Sequence, residues 1–161
     1  MFDEKWVEDY ICCNNNSFMN TLKLLVHYSG DIQFVGRQVR LGNGIADLIY
    51  HFEGNWIVVE LKNRSLEPKD LAQLSRYMRF LHERVPQGDI IHGVFVSYGD
   101  TEELKQIRRG VNFKRDHIHF LQLSVSLHFS DYTNTLITKE SGVLKLDDRI
   151  EAVLGGQNER V

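Results

Sequence analysis

Apolar residues recur at helical spacing early in the chain and then give way to strand-like runs. Trp6, Val7, Tyr10 and Ile11 predict a short first helix, and Phe18, Met19, Leu22, Leu25 and Val26 a second. Asn14-Asn15-Asn16-Ser17 between them is rich in cap-forming side chains. After a turn at Ser29-Gly30-Asp31, residues 32–41 partly alternate and read as a strand. A second strand follows over 45–52 and a third over 56–62, joined by a short turn centred on Glu53-Gly54-Asn55. Trp56-Ile57-Val58-Val59 is apolar on both faces, as a strand covered from both sides should be. Pro68 opens a helix with an apolar stripe of Leu71, Leu74, Met78, Leu81 and Val85, which Pro86-Gln87-Gly88 ends. Then come an apolar strand over 90–98, a short helix over 101–109, a turn at Gly110-Val111-Asn112 and a strand over 118–129. Beyond Ser130 the pattern is weaker, with a hairpin around Ser141-Gly142 and a short helix near Asp147 to Leu154. The order αβββαβαβ predicts an α/β fold, a central mixed sheet flanked by helices. It is expected as one domain over 1–161, with its core at about 3–125 and an extension over 130–161.

Chemistry concentrates at the ends of two neighbouring strands. Asp47 follows Gly44-Ile45-Ala46, and Glu60-Leu61-Lys62 closes the third strand. A hairpin brings Asp47 opposite the Glu60–Leu61 step, and period-two alternation puts Glu60 and Lys62 on one face. Three ionisable groups beside an apolar run are costly to bury unless they bind something. A divalent cation and a phosphate would satisfy them, with Mg²⁺ or Mn²⁺ on Asp47, Glu60 and the Leu61 carbonyl. The cation would activate water and neutralise phosphate charge, while Lys62 holds or deprotonates that water or pairs with the phosphate. An ordinary exposed Glu–Lys pair fits less well, because Val58 and Val59 lead directly into Glu60. Gln73 and Tyr77 lie four apart on the Pro68 helix, bordering its apolar stripe and within reach of the same sheet end.

Composition adds limits. A chain of 161 residues suits one domain with a real core. The net charge of −3 leaves no global basic footprint for nucleic acid, so any such contact must rest on local clusters. Cys12 and Cys13 are adjacent, without the spacing of a metal site or a comfortable bridge, and read as buried thiols in a reducing compartment. The acidic start, Met1-Phe2-Asp3-Glu4, carries no leader-like apolar run and no membrane span is visible, so an intracellular protein is expected.

Asp47…Glu60-Leu61-Lys62 with Gln73-Leu74-Ser75-Arg76-Tyr77 resembles the PD-(D/E)XK nuclease superfamily, in its RecB-like branch with a Q-x-x-x-Y helix. Val35 to Arg40, Ile45 to Ile49 and Val58 to Lys62 are also similar to the catalytic domain of NucS-like endonucleases. One departure is Ala46, where the superfamily pattern has proline before the aspartate. The resemblance spans about residues 3–125. It implies a restriction-endonuclease-like core and metal-dependent hydrolysis of DNA; with no recognisable DNA-reading domain in the sequence, an endonuclease selective for DNA structure rather than a long sequence is expected. Asp47, Glu60, Lys62, Gln73 and Tyr77 would be its catalytic set. It further implies a first-helix glutamate near the metal, Glu8 ahead of Glu4, and phosphate contacts from Arg37, Gln38 and Arg40.

A basic loop of Arg108, Arg109, Lys114 and Arg115 with Phe113 suits backbone contacts and base stacking equally with a plain solvated turn. His117 and His119 share a strand face but lack a third ligand nearby in sequence, so they read as an ordinary strand start. A homodimer would let two strands be cut or a junction be gripped. The competing classes are a silent binding module on a nuclease fold and a nuclease acting on RNA.

Overall fold

A computed structural model describes residues 3–98, 102–110 and 116–123. Residues 1–122 form one unit of the chain and 123–161 another; the described helices and strands lie in the first, apart from the last residue of the final strand, Leu123. Helix α1 spans Glu4–Cys13 and α2 spans Asn15–Leu25. Asp3 starts α1 by accepting the Trp6 amide hydrogen at 2.7 Å. Asn14, at φ −118°, leaves the helical region, so two helices precede the sheet where the condensed order had one. The thiols expected to be buried are not: Cys12 is half-buried and Cys13 is exposed. Position 13 falls on the solvent side of α1, whose buried face is Val7, Glu8, Tyr10 and Ile11.

Among the described residues the sheet has five strands in the order β1 (Gln33–Leu41), β2 (Gly44–Phe52), β3 (Asn55–Lys62), β4 (Ile90–Tyr98) and β5 (Ile118–Leu123). β1, β2 and β3 form an antiparallel meander, whereas β3 and β4 are parallel. That parallel pair needs a crossover, which helix α3 (Pro68–His82) supplies. The turn between β2 and β3 is Glu53-Gly54, both at positive φ (25° and 72°), so Asn55 already belongs to β3, opposite Phe52. The mixed α/β sheet thus follows the expected pattern, with a short helix α4 (Glu102–Arg109) before β5.

Helix α3 ends earlier than its apolar stripe suggests. Val85 packs against the core from outside the helix, its amide donating to the Leu81 carbonyl at 2.9 Å. The last turn tightens at Arg84, whose amide donates to the Leu81 carbonyl at 2.9 Å, and Pro86 disfavours helical backbone at Val85, so the helix is not resumed there. Leu74, Tyr77 and Leu81 of α3 pack with Val58, Ile91 and Phe95 of the sheet. Phe18 of α2 meets Tyr50 of β2, whose hydroxyl donates to Asn15 at 2.8 Å. No helix among the described residues is long and apolar enough to cross a membrane.

The end of the sheet where Asn55 begins β3 carries a histidine chain that spans three strands. His92 on β4 lies 3.1 Å from Asn55 Oδ1 through Nε2, and its Nδ1 lies 3.4 Å from His119 Nε2. Burial, with His119 and His117 nearby, lowers the His92 pKa to about 4. The unfolded chain therefore takes up a proton near pH 6.5 that the folded chain refuses until about pH 4. Stability should fall as pH drops through that window. His92→Asn should flatten the loss by roughly 2 kcal/mol, allowing for the part of the ring that solvent reaches. Urea denaturation at pH 7.5 and 5.0 measures it.

Candidate active site

The register that sets Leu48 opposite Val59 carries Asp47 to the Glu60–Leu61 step. The Leu61 amide donates to Asp47 Oδ2 at 2.7 Å, which ties one carboxylate to the strand bearing the other. Glu60 is 2% exposed, and its Oε1 is buried without a hydrogen-bond partner. Lys62, two residues on and therefore on the same face, places Nζ 3.8 Å from Glu60 Oε2. The structure thus gathers Asp47, Glu60 and Lys62 at one end of β2 and β3.

Burial raises the pKa of both carboxyl groups. For Asp47 the Leu61 amide works against that rise, while the Glu8 charge adds to it. For Glu60 the Asp47 charge adds to burial, and the Lys62 ammonium offsets part of it. Two desolvated carboxylates this close resist being charged together unless a cation accompanies them.

Glu8 reaches this site from α1 and is 4% exposed. Gln38 links it to the strands: the amide nitrogen donates to Glu8 Oε2 at 2.5 Å and to Asp47 Oδ1 at 3.2 Å. The backbone of Gln38 is left-handed, at φ 51°, an uncommon conformation for this residue. Arg37 Nε donates to Glu8 Oε1 at 2.6 Å, and its terminal nitrogen to Asp9 Oδ1 at 2.7 Å. Those two acidic groups hold the guanidinium pKa above its usual range. Arg37 and Gln38 are therefore engaged by α1, while Arg40 on the same strand is exposed. Glu4 accepts from the Asn63 amide at 3.4 Å rather than joining these hydrogen bonds, but its charge adds to the rise in pKa of both Asp47 and Glu60.

Gln73 and Tyr77 do not hydrogen-bond the carboxylates or Lys62. The Gln73 amide donates to the Tyr77 hydroxyl at 2.8 Å, and that hydroxyl donates to the Ile45 carbonyl at 3.1 Å. They fasten α3 to the start of β2, two residues before Asp47. Arg109 is exposed at the end of α4, whereas Lys114, Arg115, Phe113 and the side chain of Arg108 lie outside the described residues. Sequence reasoning missed Asp9, the second acceptor of Arg37, although its place beside Glu8 on an amphipathic helix was a usable signal.

Among the described residues no three His, Cys, Asp or Glu side chains group as a ready metal cage. A magnesium-type site does not need one, since one or two carboxylates, water and substrate oxygens suffice. The unpartnered Glu60 Oε1, beside a carboxylate held in place by a backbone amide, fits that pattern.

Residues 23–124 match the family profile of the endonuclease NucS C-terminal domain. Endonuclease NucS of Methanopyrus kandleri is 30% identical over 84 residues, which make up 50% of this chain and 32% of that protein. Endonuclease NucS of Thermococcus kodakarensis is 32% identical over 82 residues, 49% of this chain and 32% of that one. The chain thus spans about a third of the length of the curated relatives it matches. Among solved structures, EndoMS in its apo form aligns with a TM-score of 0.51 and 22% identity, over 76% of this chain and 47% of that one. That likeness is one of fold.

Proposed function

The chain belongs to the endonuclease NucS C-terminal domain family, and on that premise we propose that its buried carboxylates and lysine form a nuclease centre hydrolysing DNA phosphodiester bonds. One observation carries the reading: a carboxylate oxygen of Glu60, buried without a partner, next to Asp47 and Lys62. A purely structural role would leave such a charge paired or replace it. The ordered set Asp47, Glu60 and Lys62 also supports a place within the PD-(D/E)XK superfamily.

Asp47, Glu60 and the Leu61 carbonyl would hold Mg²⁺ or Mn²⁺, with Glu8 next to them through Gln38. Such an ion lowers the pKa of water and neutralises charge on the phosphate. The protein's own groups do the rest. The Leu61 amide fixes Asp47 Oδ2 and so sets the direction of the other oxygen. The Lys62 side chain is 12% exposed, enough for its ammonium to meet an attacking water or a non-bridging phosphate oxygen. The low-dielectric surroundings of Glu60 strengthen each of these charge interactions. Gln73 and Tyr77 act as positioning residues, keeping the Asp47 strand seated on α3.

The test is end-labelled single-stranded, duplex and branched DNA, and RNA, each incubated with the chain in Mg²⁺, Mn²⁺ or EDTA beside Asp47→Asn. Fragments are expected from DNA with either cation, most readily from a branched form, and none in EDTA or from the variant. Cleavage of none of the substrates would overturn the nuclease reading and leave a binding module.

A further inference from the structure

A recess of about 410 Å³ lies where the β1–β2 turn meets α3. Two glycines create it. Gly42 has φ +65°, and a side chain on it would crowd the Phe80 ring at 3.2 Å. A Cβ on Gly44 would strike the Tyr77 ring and hydroxyl at 2.4 Å. The turn's main chain therefore lies close against two aromatic side chains, with Gln73 and Arg76 completing the wall.

Among the described residues Arg76 is the charged one lining this recess and no lining residue is acidic, while the Arg84 guanidinium stacks on the Phe80 ring of its wall, 3.5 Å from the centroid. The neighbours of Arg76 one turn away on the helix are Ala72, Gln73, Arg79 and Phe80, none of which can neutralise it. The nearby carboxylates are already committed, Asp70 to Arg64 and Glu83 to Arg84. A second cavity on α3 is different: Arg79 shares it with Asp89 and Asp116, so its charges are mixed. The first recess selects for an anion, and its size lies within the range of small-ligand sites. None of the site carboxylates lines it, but its wall is tied to their strand: Tyr77 holds the carbonyl of Ile45, two residues before Asp47.

The geometry points to a substrate-strand subsite in this recess, holding one nucleotide of the strand to be cut with its phosphate on Arg76. The assignment rests on the nuclease reading and extends it, since none of the recess wall is needed to bind a cation. Arg76 is a binding residue here, not a catalytic one.

Binding of a fluorescein-labelled DNA duplex and single strand, in EDTA and in Ca²⁺ across a salt series, separates the possibilities. Arg76→Ala should weaken binding about 10-fold at low salt and reduce the salt slope by about one. Arg76→Lys should recover part of the loss, and Arg79→Ala, which removes an equal charge from the same helix, should change binding much less. Equal losses from Arg76→Ala and Arg79→Ala would overturn the subsite in favour of diffuse attraction. Wild-type affinity and slope in Arg76→Ala, or no DNA binding by the wild type, would overturn it as well. The two readings fail separately: cleavage with Arg76-independent binding removes the subsite alone, and Arg76-dependent binding without cleavage removes the nuclease reading alone.

Discussion

Glu60→Gln is expected to abolish cleavage and at the same time raise the melting temperature of the cation-free chain. Glu60 is 2% exposed and one of its oxygens has no partner, while Lys62 at 3.8 Å gives only partial compensation. An uncharged isostere removes the desolvated charge and keeps the shape, which should stabilise by about 1–2 kcal/mol, or several degrees in Tm. Activity should fall by about 10³-fold or more, since the proposed cation would lose an anionic ligand and with it the charge stabilisation it supplies. The pH dependence has a definite sign. Burial holds both carboxyl groups above the ordinary carboxylate range, so the folded chain keeps protons that the unfolded chain releases. Cation-free stability then declines as pH rises through that raised range, and the gain from Glu60→Gln should be larger at pH 8 than at pH 5. Saturating Mg²⁺ should narrow the difference, because a cation stabilises only the chain able to hold it. Thermal melts in EDTA and in Mg²⁺ at the two pH values provide the measurement. A lower melting temperature for Glu60→Gln in EDTA would mean that the Lys62 pair stabilises the fold and that the free oxygen is not a ligand in waiting.

Gly44→Ala is expected to destabilise the chain by about 2–3 kcal/mol, roughly 5–10 °C in Tm, although it adds a single carbon. The new Cβ would lie 2.4 Å from the Tyr77 hydroxyl and ring. That ring cannot step aside freely, because its hydroxyl is bonded to both Gln73 and the Ile45 carbonyl. The strand carrying Asp47 would be pushed off α3, and cleavage should fall along with stability. Tyr77→Ala should cost less stability in this variant than in the wild type, because it also removes the clash, while activity stays lost, since the anchor goes with the ring. A melt of the single and double variants tests this, and an unchanged Tm for Gly44→Ala would refute the close packing.

Much of the sheet was legible because β3 and β4 are runs of β-branched and aromatic residues bounded by turn chemistry at Glu53-Gly54 and Pro86-Gln87-Gly88. Asp47, Glu60 and Lys62 were legible for a related reason: charges that terminate such runs have no solvated face to occupy. The roles of Arg37 and Gln38 were not. A register shift between Phe34 and Gly36 interrupts the alternation of β1, and the left-handed backbone of Gln38 then turns its amide toward Glu8. A bulge reassigns faces without leaving a reliable mark in the hydrophobic pattern. Gln73 and Tyr77 were rightly placed on the shoulder of α3, but the partner of Tyr77 is a carbonyl 32 positions earlier. A main-chain acceptor carries no residue identity to read.

Sequence alone determined the alternation of helix and strand, the crossover helix that a parallel β3–β4 pair requires, and the carboxylates and lysine at the strand ends. Each is local, set by periodicity, capping and the cost of burying charge next to apolar side chains. Tertiary structure alone decided that Glu8 of α1 joins Asp47 through Gln38, that His92 meets His119 and Asn55 across three strands, and that two glycines leave a cationic recess beside α3. These contacts depend on the register and close approach of elements far apart in the chain, and packing sets such distances where the order of residues does not.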